Sequence, residues 1–427
     1  MPRAGQVREE EGPDGRLTDR IAIGVLARLI TRDLVDEVLA ECGRTEQRVR
    51  LLPARVVVYY TMALTLFFSD GYEEVMRRLV GSLRLMGSWR QSWVVPSTAA
   101  ISKARARLGA EPLRVLLERV AVPLATPSMS GAWCGTRRLM AVDGTNFDVQ
   151  DTELNLAEFG LPSGGGTFPQ VRVVALGECG SHAVLGVALG GARASERELF
   201  RRLLRCLKHG MLVMADRGFI GYDMWGEAAG TGADLLWRVR TDTDLAVTEE
   251  LPDGSYLSLL MDPRLAAKRR SQLAQNVNPP HPVEVTGHVV RVIEYQVQGR
   301  GPQAPETYRL ITTIVDPVDA SALELADAYH HRWELESSFD EIKTHQRGGG
   351  VVLRSKSPEM VRQEIYSLFL THYAIRELMV QAAEGTDETD LERMSFTRSL
   401  RVIRRQVADQ AAFSPSPPDG RVDPDGR

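Results

Sequence analysis

Two aspartates stand in the same local context, and that context suggests chemistry. Asp143 ends the apolar run LMAVDG and Asp216 ends the run LVMADRG. Such runs are typical of strands covered on both faces, and polar residues at the carboxyl ends of such strands line ligand crevices. Two carboxylates held together repel each other unless a cation lies between them, and hard divalent cations prefer oxygen ligands. The pattern predicts a divalent-cation site, although each aspartate could instead cap a turn.

A third carboxylate lies in the stretch AYHHRWELESSFDEIKTH, residues 328–345. An α-helix advances about 100° per residue, so four of its polar side chains share a stripe about 60° wide. They are Tyr329, Arg332, Glu336 and Lys343. Their stripe borders an apolar one that would face the core. Glu336 could therefore join the two aspartates, while the arginine and lysine bind phosphate oxygens. On this helix alone, a solvated face with helix-spaced ion pairs is the simpler interpretation.

The other polar residues near these positions are given structural roles. We interpret Asp148 and Asp151 as loop or capping residues. The predicted surface charges of the helix are Glu334, Asp340 and Glu341. Three histidines form no metal-binding spacing and are interpreted as structural: His330, His331 and His345. Four widely spaced cysteines argue against a zinc site or a disulfide framework and predict reduced thiols: Cys42, Cys134, Cys179 and Cys206.

The elements that must position these residues are helices at both ends of the chain and strands in the middle. Residues 18–80 show helical periodicity, and Ser97 and Thr98 are N-cap candidates for a further helix-turn-helix-like stretch. From residue 138 the pattern reads strand, strand, strand, helix, strand, helix. Residues 234–315 then alternate as further β-strands.

Local signals mark two connections in this middle region. The stretch FPQVRVVALGECGSHAVLGVALG reads as two strands around a turn at residues 178–181. The stretch SERELFRRLLRCLKHG reads as a helix with a capping box formed by Ser195 and Glu198, and with Gly210 after its end.

Composition sets the broad class of the protein. The chain of 427 residues is 43% hydrophobic and 25% charged, with a net charge of −4. No apolar run reaches the ~18 residues needed to span a bilayer, and the polar N-terminus does not resemble a secretory signal, so we expect a cytoplasmic protein without membrane contact.

The overall charge is weakly unfavourable for nucleic acid, but residues 81–110 carry only basic charges and residues 391–405 hold five arginines against one glutamate.

Together these motifs resemble the insertion sequence 4 family of cut-and-paste bacterial transposases, which carry an Asp-Asp-Glu site. The family signature places Tyr, Arg, Glu and Lys at the spacing of Tyr329, Arg332, Glu336 and Lys343. The segments VDGT (142–145) and ADRGF (215–219) match its two aspartate regions. The stretches ISKARARLG, VLRSKSPEMVRQEIYSLFLTHYAIREL and SFTRSLRVIRR resemble its other regions, so the resemblance covers most of the chain.

The resemblance implies an α/β fold: a ribonuclease-H-like mixed sheet with flanking helices, a β-rich insertion and an all-helical N-terminal domain. The expected organisation is a disordered tail at 1–16, a helical DNA-binding domain at 17–130, a catalytic domain at 138–380 with its insertion at about 234–315, a helical segment at 381–410 and a disordered tail at 411–427.

The implied chemistry is DNA strand cleavage and strand transfer by phosphoryl transfer with two Mg²⁺ ions, for which Mn²⁺ is expected to substitute. Asp143, Asp216 and Glu336 would hold the ions. Tyr329, Arg332 and Lys343 would hold DNA phosphates. Positioning and charge neutralisation would dominate, so no Ser or His nucleophile is required.

Further DNA contacts follow from the same resemblance. Tyr308 takes the place of an aromatic residue that stacks on a flipped base, where tryptophan would be usual, and Trp237 is a weaker candidate. An ordinary strand tyrosine explains Tyr308 equally well. The candidate DNA-binding residues are Lys103, Arg105, Arg107, Arg354 and Lys356.

The expected partners are double-stranded DNA, as terminal inverted repeats and as target, and a second copy of the chain in a DNA-bound homodimer. Such a protein would associate with the bacterial nucleoid when bound to DNA. Two alternatives stay open: a catalytically silent DNA-binding descendant, and a metal-dependent nuclease that cuts without strand transfer.

Overall fold

The computed structural model describes residues 24–46, 52–85, 95–265, 267, 287–297, 306–384 and 394–408. The predicted tails at 1–16 and 411–427 lie outside these residues, as does part of each predicted basic segment. All four cysteines are free thiols, as expected. Among the described helices, none is long and apolar enough to cross a membrane.

The described strands form one ten-stranded sheet in the order β4-β3-β2-β5-β6-β10-β9-β8-β7, with β1 beside β2. Their bounds are β1 (Trp133–Cys134), β2 (Arg137–Asp148), β3 (Gln170–Glu178), β4 (Val184–Gly191), β5 (Met211–Ala215), β6 (Asp234–Val239), β7 (Glu249–Glu250), β8 (Tyr256–Met261), β9 (Gly287–Val297) and β10 (Glu306–Thr312). Strands β2, β5 and β6 are parallel to one another, and all other pairs are antiparallel. The five strands β4-β3-β2-β5-β6 confirm the expected ribonuclease-H-like sheet.

The β-rich insertion differs in its start from the prediction. Strand β6, at 234–239, pairs in parallel with β5 and is the fifth strand of the central sheet. The insertion therefore begins after it, and its strands extend the same sheet because β10 pairs with β6. The sequence DLLWRV is apolar enough to be covered on both faces, which suits a central strand better than an insertion strand.

Twelve described helices surround the sheet. They are α1 (Arg32–Glu41), α2 (Ala54–Leu66), α3 (Tyr72–Leu85), α4 (Thr98–Leu108), α5 (Glu111–Val120), α6 (Glu153–Phe159), α7 (Glu196–Arg201), α8 (Tyr222–Ala229), α9 (Ala322–His330), α10 (Glu334–Asp340), α11 (Pro358–Glu384) and α12 (Phe396–Ala408). The predicted capping box at Ser195 is absent, because its side chain makes no cap hydrogen bond. A capping box instead opens α9, where Ser321 and Glu324 bond reciprocally.

The two faces of the sheet bury separate cores, because successive side chains of a strand point in opposite directions. On β2, Leu139 and Ala141 belong to one core, whereas Met140 and Val142 belong to the other. Helices α7 and α8 cover the second core. The long helix α11 covers the first and packs against both α2 and α5. The N-terminal helices thus share a core with the central sheet.

This shared core corrects one of the DNA-binding candidates. Arg105 is 0% exposed and donates hydrogen bonds to Gln363 Oε1 at 2.8 Å, the Tyr72 hydroxyl at 2.5 Å and Ser355 Oγ at 3.1 Å. The expectation of a DNA-facing side chain is wrong for Arg105, because its charge is used to join α4 to the start of α11.

Two other candidates also donate hydrogen bonds inside the protein, whereas the remaining two are exposed. Arg107 donates to the Leu52 carbonyl at 2.7 Å and to Glu46 at 3.1 Å. Arg354 donates to the Asp70 carbonyl at 2.8 Å and so holds the loop after α2. Lys103 and Lys356 are exposed and remain candidates for DNA contact.

Replacing Arg105 with methionine is expected to lower the free energy of unfolding by about 3 kcal/mol, because several buried partners lose a charged donor together. Lys103→Met, on the exposed face of the same helix, should change it by less than about 0.5 kcal/mol. Urea denaturation of both variants measures the difference. An Arg105→Met protein with unchanged stability would contradict the structural role.

Candidate active site

The two predicted aspartates emerge at the same edge of the sheet. The parallel pairing of β2 with β5 ends at Val142 opposite Ala215, and each aspartate is the next residue of its chain. Each carboxylate is oriented by the following main-chain N–H: Gly144 N donates to Asp143 at 2.8 Å and Arg217 N donates to Asp216 at 2.6 Å. The edge position of both residues follows directly from the parallel register.

One part of this prediction needs correction. Strand β2 does not end at Asp143 but continues to Asp148, paired with β3. Asp148 is therefore a strand residue that accepts a hydrogen bond from Gln170 at 2.7 Å, and not a loop residue. The apolar run stops earlier than the strand because only its first part is covered on both faces.

Glu336 reaches the aspartates from a helical segment that is less regular than expected. Residues 328–345 were predicted as one α-helix, but α9 is followed by a 3₁₀ turn at His331–Trp333, then by α10 and a π-helical turn at Glu341–Gln346. Arg332, which lies in the 3₁₀ turn, is buried and donates to Asp143 Oδ2 at 3.3 Å and to Glu336 Oε1 at 3.2 Å. One guanidinium thus brings together the first and third predicted carboxylates.

The charges of the three carboxylates influence one another. Burial raises the pKa of Asp143, and the Asp216 charge raises it further, against the opposing effects of the Gly144 N–H and Arg332. Burial also raises the pKa of Glu336, with Asp143 and Asp216 adding to the rise and Arg332 opposing it. Carboxylate pKa values raised by burial and by neighbouring carboxylates are common at functional sites, where acidic side chains are held close together.

The donor set fits a hard divalent cation in chemistry. All three side chains offer oxygen ligands and neither His nor Cys is among them, which suits Mg²⁺ or Mn²⁺ better than zinc. Within the described ranges, however, no three His, Cys, Asp or Glu side chains are grouped closely enough to hold a metal ion. Arg332 occupies oxygens of Asp143 and Glu336 in this arrangement.

Lys343 and Tyr329 are placed differently from each other. Lys343 Nζ donates to Oγ1 of Thr145, two residues beyond Asp143, at 3.1 Å. Burial lowers the pKa of Lys343, and the Arg347 charge lowers it further. Tyr329 is only 2% exposed and donates to the Ala215 carbonyl at 3.3 Å. Lys343 therefore lies beside the site, whereas Tyr329 is buried against the end of β5.

Both aromatic candidates for base stacking are buried. The Tyr308 ring is 9% exposed, lies under the Arg238 guanidinium at 3.8 Å and neighbours Tyr295 at 5.5 Å between centroids. Trp237 is 0% exposed and packs edge-on against Trp225. Neither ring offers a free face to a base in this structure, so the stacking expectation is not supported for either residue.

An arginine-lined groove beside Asp216 was missed by the sequence analysis. Its volume is about 790 Å³ and it is lined by Arg217, Arg238, Arg240 and Arg309, together with polar and acidic neighbours. Three of these arginines pair with acids, Arg238 with Glu306, Arg240 with Asp242 and Arg309 with Glu294. The alternation in WRVR, which puts Arg238 and Arg240 on one face of a strand, was the available signal.

Glu196 is a fourth carboxylate that the sequence analysis did not single out. It stands in the first turn of α7, and a Cβ at Gly144 would come within 2.6 Å of its Oε1. A Cβ at Gly218 would lie 3.5 Å from its Oε2. The glycines after the two aspartates thus leave room for this side chain at the rim of the site.

Two of the predicted surface acids are in fact partnered inside the protein. Glu341 is 9% exposed and binds Arg376 and His372, while Glu334 accepts from the Gly180 N–H and lies 2.6 Å from His331 Nδ1. The surface interpretation is wrong for these two and correct for Asp340, whose side chain is 61% exposed. Helical spacing could not separate them, because Gly180, His372 and Arg376 come from distant parts of the chain.

Comparison with known proteins adds family information. Residues 20–118 match the family described as insertion element 4 transposase N-terminal, and residues 135–373 match the transposase DDE domain family. The second match spans more than half of the chain and includes all three carboxylates.

Two relatives found by sequence agree with the family matches. Transposase InsG for insertion sequence element IS4 of Escherichia coli strain K12 is 27% identical over 388 residues, which is 90% of this chain and 82% of that protein. A putative transposase InsZ of the same strain is 26% identical over 221 residues, 49% of this chain and 70% of that protein. A cryo-EM structure of a piggyBac transposase synaptic complex with hairpin DNA gives a TM-score of 0.45 at 7% identity, covering 91% of this chain and 80% of that one.

Asp143→Asn is expected to raise the thermal midpoint of the metal-free protein at neutral pH. Because the pKa of Asp143 is raised in the folded state, its contribution to stability is present below its unfolded pKa and is lost as pH rises through the folded pKa. The gain should therefore disappear below about pH 3, where the unfolded carboxyl is also mostly protonated.

Scanning calorimetry at both pH values checks this prediction. Asp151→Asn, at an exposed position, is the matched control. A lower midpoint for Asp143→Asn at neutral pH would show that its ion pair with Arg332 outweighs burial and repulsion.

Proposed function

Since this chain belongs to the insertion sequence 4 family of DDE transposases, which are DNA-cleaving enzymes, we propose that it acts on the ends of its own mobile element. It would bind the terminal inverted repeats, cut the DNA strands there and join them to a target. Asp143, Asp216 and Glu336 are the proposed catalytic carboxylates. The observation that carries the assignment is the Arg332 guanidinium, which contacts two of them while the charge of the third raises the pKa of both.

A DDE domain generally implies the use of divalent metal ions. We propose two Mg²⁺ ions here, replaceable by Mn²⁺, with Asp143, Asp216 and Glu336 as their ligands. Bound cations would supply charge neutralisation at the reacting phosphate and a more acidic water or 3′-hydroxyl as nucleophile. The raised pKa values of Asp143 and Glu336 support this assignment, because carboxylates destabilised by burial and by neighbouring negative charge gain most from a cation.

The basic side chains around the carboxylates would orient the DNA. Arg332 has a planar fork suited to phosphate oxygens, and Lys343 lies beside the Asp143 strand as a point charge. The arginine groove next to Asp216 is the proposed path for the flanking DNA backbone. Tyr329 supports strand β5 and takes no direct part in phosphate binding.

DNA recognition away from the site is assigned to exposed basic residues. Lys103 on α4 and Lys356 before α11 are the retained candidates. A homodimer would form on DNA, because two element ends must be held together for joining. The protein would then be found at the nucleoid when bound to its ends.

The test of the proposed function uses purified full-length protein and a labelled terminal repeat with Mg²⁺ or Mn²⁺. Asp216→Ala is expected to reduce end cleavage by at least about 10²-fold, because a ligand and a charge at the reacting centre are lost. Asp340→Ala removes an exposed carboxylate close to Glu336 in the chain and should leave cleavage unchanged.

Three results would overturn parts of the proposal. Metal-dependent cleavage that survives Asp216→Ala would reject the site assignment. Specific binding of the repeat without cleavage under either metal would identify a silent DNA-binding protein. Cleavage without any joined product would identify a nuclease.

Lys343→Met is expected to weaken repeat binding and to lower the slope of log K against log salt by about 1, because one phosphate contact is lost. Lys208→Met is the matched control, since Lys208 is exposed and precedes β5, at the sheet edge opposite to Asp216. Fluorescence anisotropy over a salt series gives both slopes. An equal slope for wild type and Lys343→Met would remove Lys343 from the DNA interface.

A further inference from the structure

Glu336 and Lys343 are separated by a change in helical geometry. Glu336 belongs to the regular helix α10, whereas Lys343 belongs to the π-helical turn Glu341–Gln346. A π-helical turn is rare and is often found at functional sites. The position of Lys343 relative to Glu336 therefore depends on what holds this turn in place.

The first residue of the turn, Glu341, is held by two side chains of α11. Its Oε2 accepts hydrogen bonds from Arg376 Nε at 2.9 Å and from His372 Nε2 at 2.8 Å, and its Oε1 accepts from Arg376 Nη2. His372 and Arg376 lie four residues apart and so share one face of α11. The carboxylate is thus fixed from one side by a fully buried pair of donors.

A second set of contacts joins helices α10 and α11 to the β3–β4 turn. Arg376 Nη2 also donates to His182 Nδ1 at 2.8 Å, and Ser338 Oγ donates to the His182 carbonyl at 3.2 Å. Glu334 accepts from the Gly180 N–H of this turn. His182 has a φ of 58°, a left-handed conformation that a non-glycine residue adopts only when its surroundings hold it there.

These contacts keep Glu341 charged inside the protein. Burial by itself would raise its pKa, but the neighbouring His182 ring, the hydrogen bond from His372 and the Arg376 charge hold that pKa well below the usual range. A buried, charged carboxylate that accepts several hydrogen bonds has a fixed position. If it were displaced, the buried Arg376 would lose its counter-ion. Glu341 is therefore rigid where an exposed glutamate would be free to move.

We propose that Glu341 is a positioning residue, and that its bonds to Arg376 and His372 set the π-helical turn so that Glu336 and Lys343 both reach the Asp143 strand. This inference rests on the proposed function, because it concerns the geometry of the same site. Glu341 touches neither substrate nor metal in this scheme and acts only through Glu336 and Lys343.

Glu341→Gln tests the inference, with Glu364→Gln as the matched control. Glu364 is also a buried acid: it accepts hydrogen bonds from Ser355 and from the Arg354 N–H, at the start of α11 and away from the π-helical turn. Both variants should lose thermal stability. At a temperature where both are folded, Glu341→Gln should lower kcat for repeat cleavage by about 10- to 100-fold with little change in KM, because the reacting groups are displaced and not removed. Glu364→Gln should keep kcat within about threefold of wild type.

Mn²⁺ binding provides a readout that does not depend on cleavage. Titration calorimetry with Mn²⁺ alone should show affinity at least about threefold weaker for Glu341→Gln than for Glu364→Gln, since Glu336 is misplaced. If Glu341→Gln does not fold, Ser338→Ala removes a bond of the same network and should lower kcat in the same direction.

The outcomes separate the two proposals. If wild type cleaves the repeat and Glu341→Gln behaves like Glu364→Gln in both assays, the inference is overturned and the proposed function stands. If wild type does not cleave, the proposed function fails, and weaker Mn²⁺ binding by Glu341→Gln still supports the inference. Equal Mn²⁺ affinities, or no Mn²⁺ binding by wild type, would then overturn the inference as well.

Discussion

The candidate site depends on the buried Arg332 guanidinium, which contacts the carboxylates of Asp143 and Glu336 near the charge of Asp216. Arg332 offsets part of the repulsion among these carboxylates by contacting Asp143 and Glu336, and it can do so only because it is itself buried beside them. Burial nevertheless raises the pKa of both acids, and the charges of the neighbouring carboxylates add to the rise. An arrangement of this kind is unfavourable for the protein alone and favourable once positive charge is supplied, which is the property expected of a cation-dependent phosphoryl-transfer site.

Two parts of the surrounding structure position these side chains. The parallel register of β2 and β5 fixes Asp143 and Asp216 at one sheet edge. The helical segment that carries Glu336 is held by two other acids whose side chains bind elsewhere. Glu334 accepts a hydrogen bond from the β3–β4 turn, and Glu341 accepts one from Arg376 of α11. Acidic residues close together in the sequence thus have different roles. Glu336 faces the candidate site, whereas Glu334 and Glu341 are bound by partners inside the protein.

Basic residues divide in the same way. Arg105 and Arg354 use their charge to join the N-terminal helices to the region around α11, so that the helical part and the catalytic sheet share a core. Arg238 and Arg240 lie instead on the groove beside Asp216. The positions of basic residues in the sequence did not distinguish the arginines that join helices inside the protein from those that line this groove.

The sequence by itself determined the order of strands β2 to β6 with helices α7 and α8, although it did not reveal the short helix α6. It also determined the two aspartates after apolar runs and the four-residue spacing of Arg332 and Glu336 in a helical segment. These features are local, because burial of a strand and periodicity of a helix are recorded in neighbouring residues. Only the tertiary structure decided that Tyr308, Tyr329 and Arg105 are buried, that β2 continues past Asp143, and that Glu341 is an internal ligand of Arg376. Each of these depends on partners far away in the chain, and the free energy of a buried polar group is set by such partners and not by its sequence neighbours.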